Sequence, residues 1–307
     1  WLNEGKTSSC HHPTNHIIPE EELINNPSAL HNTNFKKLRR KEMLEGIKCK
    51  ECEYCWKIED LDKEYFSDRH YKTADYWAWD KFEDIAKSNP QDNVYPSYLE
   101  VSFSNACNFA CAYCSPEISS KWMEDIKQNG EYPDGAHNLD YLKQNGKFPY
   151  AHNEDNPYVT AFWKWFPDAL PHLKVLRITG GEPTMSKDTW KLLDYLIENP
   201  RKDLDIAINS NLCVTDVLIK KLILKINQLA DVGVKVDVYT SLESTGKQAE
   251  YARDGLDYYT WIENVETVLK ETNSTVAMMT TINILSLPSF LDFMMTVMDF
   301  RKLYNKK

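Results

Sequence analysis

The sequence predicts an α/β fold built on parallel strands, and three observations predict it. From residue 96 onward, runs with the two-residue alternation of strands recur between stretches with the 3.6-residue period of helices. The intervening helices are long enough to return the chain for parallel pairing. The cysteine-bearing and polar motifs then fall, one after another, just past the predicted strands. Parallel barrels gather their chemistry at those carboxyl ends, because the loops after the strands meet there.

The strands are expected at 98–103, 174–179, 204–209, 234–240 and 275–283. In the first, Leu99, Val101 and Phe103 alternate with Glu100, Ser102 and Ser104. Helices are expected at 187–198, 215–229, 258–271 and 288–303. A long connection, 115–172, separates the first two strands. Its middle, 129–157, is rich in Gly, Asn, Asp, Pro, His and Tyr and reads as a substrate-facing lid or a variable surface excursion. Residues 89–96 read as a linker. Two domains follow: 1–95, cysteine-rich and mostly irregular or helical, and 96–307, the α/β core. Within the first, a helix over 34–44 stops before Gly46. The basic run Lys36, Lys37, Arg39, Arg40 and Lys41 reads as a solvated face of that helix.

The chain has 307 residues, 42% of them hydrophobic and 27% charged, with a formal net charge of −10. Such an acidic balance argues against a general nucleic-acid binder or a protein that docks on anionic membranes. No apolar run reads as a signal peptide or is long enough to span a bilayer. The eight cysteines cluster as C-x-x-C-x-x-C and C-x-x-x-C-x-x-C, which suits metal or cluster binding better than disulfides. A reducing, cytoplasmic location is expected. The chain opens on Trp1, so its natural start is expected upstream.

Cys107, Cys111 and Cys114 follow the first predicted strand directly. A tetrahedral zinc site closes with four protein ligands, usually from paired knuckles. Three thiols on one short loop instead suit a 4Fe–4S cluster with one iron left open. Cys10, Cys49, Cys52 and Cys55 suffice to close a second site, as zinc or as a further 4Fe–4S cluster. His11 and His12 read as surface polar residues. Gly180, Gly181, Glu182 and Pro183 follow the second strand. The two glycines let backbone approach a ligand closely, and an acidic side chain or a carbonyl can accept from an ammonium group. Asn211, Ser241, Glu243 and Asn283 mark the ends of the later strands, and Arg253 lies beyond the fourth. Cys213 reads as a buried small hydrophobe.

The three-cysteine motif, with the aromatic Tyr113 before its last thiol, resembles the signature of the radical S-adenosylmethionine (SAM) superfamily. Gly180-Gly181-Glu182-Pro183 resembles that family's second motif, and the resemblance covers roughly 96–285. It implies a partial (β/α) barrel, here apparently truncated after the fifth βα unit. It implies that Cys107, Cys111 and Cys114 hold a catalytic 4Fe–4S cluster. It also implies that Tyr113, Gly180, Gly181, Glu182, Pro183, Asn211, Ser241, Glu243, Arg253 and Asn283 face SAM. Arg253 would pair with the SAM carboxylate through its planar fork. Glu243 departs from the family pattern, where an aspartate is more usual. The implied activity is reductive cleavage of SAM to a 5′-deoxyadenosyl radical, with a flavodoxin- or ferredoxin-like electron donor. Residues 1–95 look like the twitch or SPASM-type auxiliary modules of such enzymes, although those follow the core rather than precede it. Relatives with such modules often modify peptides, so a peptide or protein substrate is expected ahead of a small molecule. The implied enzyme is an oxidoreductase- or transferase-type modifier. The alternative is an iron–sulfur or zinc electron-transfer or binding protein without SAM chemistry.

Overall fold

The five predicted strands pair side by side in chain order: Tyr98–Ser102, Val175–Thr179, Asp205–Ser210, Val236–Ser241 and Val276–Met279. They form a parallel sheet with flanking helices, which fits a partial α/β barrel. Ile206 lies opposite Val236 and Ser210 opposite Thr240, while Val238 pairs with Val276 and Ser241 with Met279. The computed structural model describes residues 1–13, 15–62, 64–132, 138–146, 148–151 and 154–304. It divides into two compact units: Trp1–Leu99 with Asp155–Val175, and Glu100–Glu154 with Leu176–Lys307.

Alternation along the strands sorts the second unit into layers. Leu176, Ile178, Ile206, Ile208, Val236 and Val238 are buried, and they stand on one face because successive side chains point opposite ways. Helices Lys187–Glu198, Asp216–Asp231 and Tyr258–Glu271 supply matching buried rows, including Leu193, Ile226 and Val265. These helices contact one another in chain order. Arg177, Thr179, Asn209, Tyr239 and Ser241 occupy the alternate positions and are only half-buried.

Two expectations need correction here. The fifth strand stops at Met279, not at 283. Asn283 accepts from the Leu285 amide (2.9 Å), and its own amide donates to Ser286 Oγ (3.1 Å). Such local side-chain turns take the backbone away from the ladder. The connection 115–172 is not a structureless loop. It carries helices Ser120–Asn129, Leu139–Gln144 and Pro157–Ala169. Residues 133–137, 147, 152 and 153 of the expected lid lie outside the described residues. Among the described residues, no helix is long and apolar enough to cross a membrane.

In the first unit, Pro157–Ala169 packs against Glu20–Asn25 and the short turn Pro27–Leu30. Tyr158 donates to the Ile18 carbonyl (3.0 Å). Its ring fills the space where a side chain on Gly5 (φ +62°) would go. The helix Asn34–Leu44 has the predicted bounds. Thr33 caps its start by accepting from the Lys36 amide (3.1 Å). At its end Gly46 (φ 75°) donates to Met43 O, and Ile47 to Glu42 O, the pairing of a Schellman stop.

The basic run is not a solvated face throughout. Lys36 is buried, with Nζ near Thr7 Oγ1 (3.4 Å), Ser8 O (3.4 Å) and His31 Nδ1 (3.3 Å). Arg40 reaches Asn32 Oδ1 (3.1 Å) and Asp92 O (3.2 Å). The expected linker is tied down too. Asn32 accepts from the Val94 amide (3.0 Å) and donates to its carbonyl (2.9 Å), as a strand neighbour would.

Burial pushes the Lys36 ammonium down to about 7, and Arg40 adds to the shift. Between pH 7 and about 10 the unfolded chain therefore holds a proton at Lys36 that the folded chain does not. Stability is expected to rise with pH across that window and to be lost as pH falls toward 7. Denaturant midpoints measured at several pH values should show this slope in the wild type, and a much flatter one in Lys36→Met.

Candidate active site

The loop carrying Cys107, Cys111 and Cys114 is shaped by its own short strand. Ala110–Cys111 pairs antiparallel with Arg253–Asp254, Cys111 opposite Arg253. The start of helix Ser120–Asn129 holds it from the other side. The Cys107 amide donates to Ser120 Oγ (3.0 Å), Ser119 Oγ to Phe109 O (2.6 Å), and Trp122 Nε1 to Cys111 O (2.9 Å). Burial pushes the Cys107 thiol up to about 12, with the negative charge of Glu182 adding to it. Burial raises Cys111 to about 11, opposed by Arg253, and raises Cys114 as well. Thiols so placed do not ionise alone. A cationic iron centre held there would reverse that balance, because a bound metal is the largest local charge.

The Gly180–Pro183 turn lies against this loop. A Cβ on Gly180 (φ +138°) would stand 2.8 Å from Ser104 O, and one on Gly181 would stand 2.5 Å from Ala106 O. The Gly181 amide donates to Ser104 O (3.1 Å) and the Glu182 amide to Ala106 O (2.7 Å). The close approach that the glycines permit is thus to the backbone leading into Cys107. Pro183 opens a short 3₁₀ turn, Pro183–Met185.

The Glu182 carboxylate is buried and committed to the protein. Its Oε1 accepts from the Thr184 amide (3.1 Å), Thr184 Oγ1 (2.7 Å) and Ser210 Oγ (2.9 Å), and its Oε2 from the Asn211 amide (2.7 Å). These four bonds tie the side chain to the ends of the second and third strands. Asn211 is also engaged: its Nδ2 donates to Asn108 Oδ1 (2.8 Å) and its Oδ1 accepts from the Cys213 amide (2.9 Å). Between them Leu212 adopts φ 53°, sparsely populated for a branched residue. Asn264 Nδ2 holds that turn through Leu212 O (2.8 Å) and Val214 O (3.2 Å). Cys213 is buried beside it, as expected.

Glu243 and Arg253 form a buried bidentate pair, with Nε to Oε1 at 3.0 Å and Nη2 to Oε2 at 2.5 Å. Tyr113 donates to Glu243 Oε1 (2.9 Å), and the guanidinium lies 5.2 Å from the centre of its ring. Arg253 Nη1 stands 4.0 Å from Cys111 Sγ. The fork expected for a SAM carboxylate holds this chain's own carboxylate instead. Ser241 closes the fourth strand on the half-buried face. Asn283 lies in its local turn past the fifth strand, and its side chain bonds within that turn.

Several residues of this region escape sequence reasoning. Asn108 lies inside the cysteine motif, and Ser119, Ser120 and Trp122 follow it closely enough to be found by proximity. Arg177 and Tyr239 could be found from strand alternation alone. The Arg177 guanidinium sits 4.3 Å from the Tyr239 ring centre, and its Nε donates to Asn209 Oδ1 (3.2 Å).

In the other unit, Cys49 and Cys55 are buried and Cys52 is half-buried. Cys52 is pushed up to about 12 by burial and by its hydrogen bond with Cys49. Trp56 Nε1 donates to Cys49 O (2.8 Å). Among the described residues, Cys10, His11 and Asp68 bring ligand-type atoms to within 4.8 Å of one another.

A parallel α/β sheet with a three-thiol loop after its first strand defines a class of iron–sulfur enzymes. The family model of the radical SAM superfamily matches residues 101–296, and the chain belongs to that superfamily. Membership implies a 4Fe–4S cluster and SAM. The chain is 29% identical over 154 residues to a GTP 3′,8-cyclase of Aliarcobacter butzleri, covering 49% of this chain and 36% of that protein. A GTP 3′,8-cyclase of Yersinia pestis is 26% identical over 202 residues, covering 64% of this chain and 50% of that protein. One of Klebsiella pneumoniae is 31% identical over 114 residues, covering 37% and 26%. The chain thus spans half or less of the length of these three relatives.

The buried ion pair yields a prediction. Glu243→Met or Arg253→Met alone leaves one partner uncompensated and should cost about 3–5 kcal/mol. The double variant with methionine at both positions should lose much less than the sum, read from denaturant midpoints. Additive losses would mean that the two groups do not act as a pair.

Proposed function

We propose that this chain cleaves SAM reductively at a cluster held by Cys107, Cys111 and Cys114. The observation that carries the proposal is the seating of the Gly180–Pro183 turn on the backbone entering the three-thiol loop. When bound, the cluster and SAM supply a 5′-deoxyadenosyl radical for hydrogen abstraction. The residues of the chain do the rest. The loop offers three thiolates at fixed positions, and the Phe109 amide, 3.5 Å from Cys107 Sγ, favours its ionised form. Arg253 brings positive charge to Cys111, while Glu243 and Tyr113 hold the guanidinium in place. Backbone carbonyls of the Gly180–Pro183 turn would receive the SAM ammonium, with Asn211, Ser241 and Asn283 assigned to its other polar groups. The electron comes from a flavodoxin- or ferredoxin-like donor.

For the substrate, Arg177 supports one reading. It places a guanidinium and an aromatic ring, Tyr239, on the sheet face opposite the buried rows. A fork of donors beside a ring suits an anionic, planar ligand, and the relatives are named for a nucleotide. We therefore assign an anionic small molecule of nucleotide type. The expected peptide or protein substrate finds no support among those relatives. In the N-terminal region, 1–95, we assign Cys49, Cys52 and Cys55 to a second thiolate-bound centre, iron–sulfur or zinc, as in twitch-like modules. Residues 96–307 then carry the radical chemistry.

Cys111→Ala should reduce 5′-deoxyadenosine formation under dithionite to background in the anaerobically reconstituted protein. Persistent cleavage would overturn the assignment. With GTP as the first probe, Arg177→Ala should weaken binding about tenfold or more, the scale of one charge-assisted hydrogen bond. Unchanged binding in that variant, or no binding by the wild type, would overturn the substrate class.

A further inference from the structure

A second cluster of ligand-type side chains lies within the first unit. Cys10, His11 and Asp68 bring one ligand atom each to within 4.8 Å of one another. Cys10 Sγ lies 3.8 Å from His11 Nδ1. The Nε2 atoms of His11 and of His12 each lie 3.4 Å from the same Asp68 oxygen, Oδ2. That oxygen is buried and, among the described residues, accepts no hydrogen bond. A buried carboxylate oxygen left without one is costly, and a cation bound beside it would offset that cost.

The spacing fits one metal ion. Zinc holds N and O ligands at about 2.0–2.2 Å and S at about 2.3 Å in a tetrahedron. From those lengths, neighbouring N and O ligands should stand roughly 3.4 Å apart, and roughly 3.6 Å from sulfur. The 3.4 Å contact of His11 Nε2 with Asp68 Oδ2 matches the first length, Cys10 Sγ stands 3.8 Å from the other nitrogen of that ring, Nδ1, and one ligand atom from each of the three residues lies within 4.8 Å of the others. These contacts are too tight for an iron–sulfur cluster, which spreads its thiolates around several irons. A mixed set of one thiol, one imidazole and one carboxylate is also a zinc-type donor set, not a cluster-type one.

The surroundings hold these groups in position. Ser67 donates to Glu59 Oε1 (2.5 Å), and Arg69 grips the same carboxylate at 3.2 and 2.6 Å. Glu59 thereby fixes the residues on both sides of Asp68. The His12 ring stacks on Tyr54 at 4.3 Å, which sets its orientation. The Ser8 hydroxyl donates to Cys10 O, while the Cys10 amide donates to Ser8 Oγ (3.3 Å). Asp68, His12 and the Cys10 backbone are thus held by neighbours, as outer partners support ligands in metal sites.

We propose that Cys10, His11 and Asp68 form a mononuclear divalent-metal site of zinc type, with water as the fourth ligand and His12 beside Asp68. On this assignment Cys10 does not belong with Cys49, Cys52 and Cys55. Binding converts the Cys10 thiol to a thiolate and releases its proton; nothing is oxidised or reduced. The site does not depend on the radical SAM reading of the other unit.

The test is metal analysis of the full-length chain, purified anaerobically, reconstituted with iron and sulfide, then given zinc and dialysed. The wild type should retain one zinc per chain at this site. Asp68→Asn and His11→Ala should weaken zinc more than about a hundredfold, since loss of an outer partner alone costs 10–100-fold. Their iron content and SAM cleavage should stay unchanged, which also shows that these variants fold. Cobalt(II) added in place of zinc should give a thiolate charge-transfer band that Cys10→Ser abolishes. Three results would overturn the proposal: no retained zinc, zinc that survives Asp68→Asn but not Cys52→Ser, or iron rather than zinc lost in Cys10→Ser.

Discussion

The active-site region depends on a backbone crossing that only glycine permits. Gly180 and Gly181 pass so close to residues 104–106 that a single methyl group on Gly181 would stand 2.5 Å from one carbonyl oxygen and 2.6 Å from another. Because nothing intervenes, the turn after the second strand donates directly to the segment that becomes the three-thiol loop. Glu182 extends that contact inward. Its carboxylate gathers donors from Thr184, Ser210 and Asn211, so the ends of the second and third strands are held by one buried charge. The Asn108–Asn211 amide pair then returns the connection to the cysteine motif.

The fourth strand contributes in the same way from the opposite side. Glu243, two residues past its end, fixes Arg253, and Arg253 belongs to the short strand that pairs with Ala110–Cys111. Two buried carboxylates therefore flank the loop, each saturated by neighbours. Such groups are expensive to bury unless fully partnered. Their cost is accepted here where geometry must be fixed, and a preorganised shell of this kind is what a radical enzyme requires of its protein.

The sheet and its helices were legible because their signals are periodic. Leu176 and Ile178, or Val236 and Val238, repeat every second residue, and the helix bounds 187–198 and 258–271 followed from the 3.6-residue period. The cysteine and glycine motifs were legible because their spacing is local. What stayed hidden was pairing across the chain. Nothing near Glu182 in sequence says that Ser210 will donate to it, and nothing near Arg253 says that Glu243 will occupy its fork. The same applies to Lys36. A basic run suggests solvent, yet the packing of Thr7, Ser8 and His31 encloses its first member. Asp68 was hidden for the same reason, since it meets His11 and His12 only after the chain folds.

The most direct measurement is iron content and 5′-deoxyadenosine formation in Gly181→Ala, reconstituted anaerobically beside the wild type. If the crossing positions the three-thiol loop, the variant should keep its secondary structure but lose about one 4Fe–4S cluster's iron and nearly all SAM cleavage. A variant that binds full iron and cleaves SAM at the wild-type rate would contradict the account.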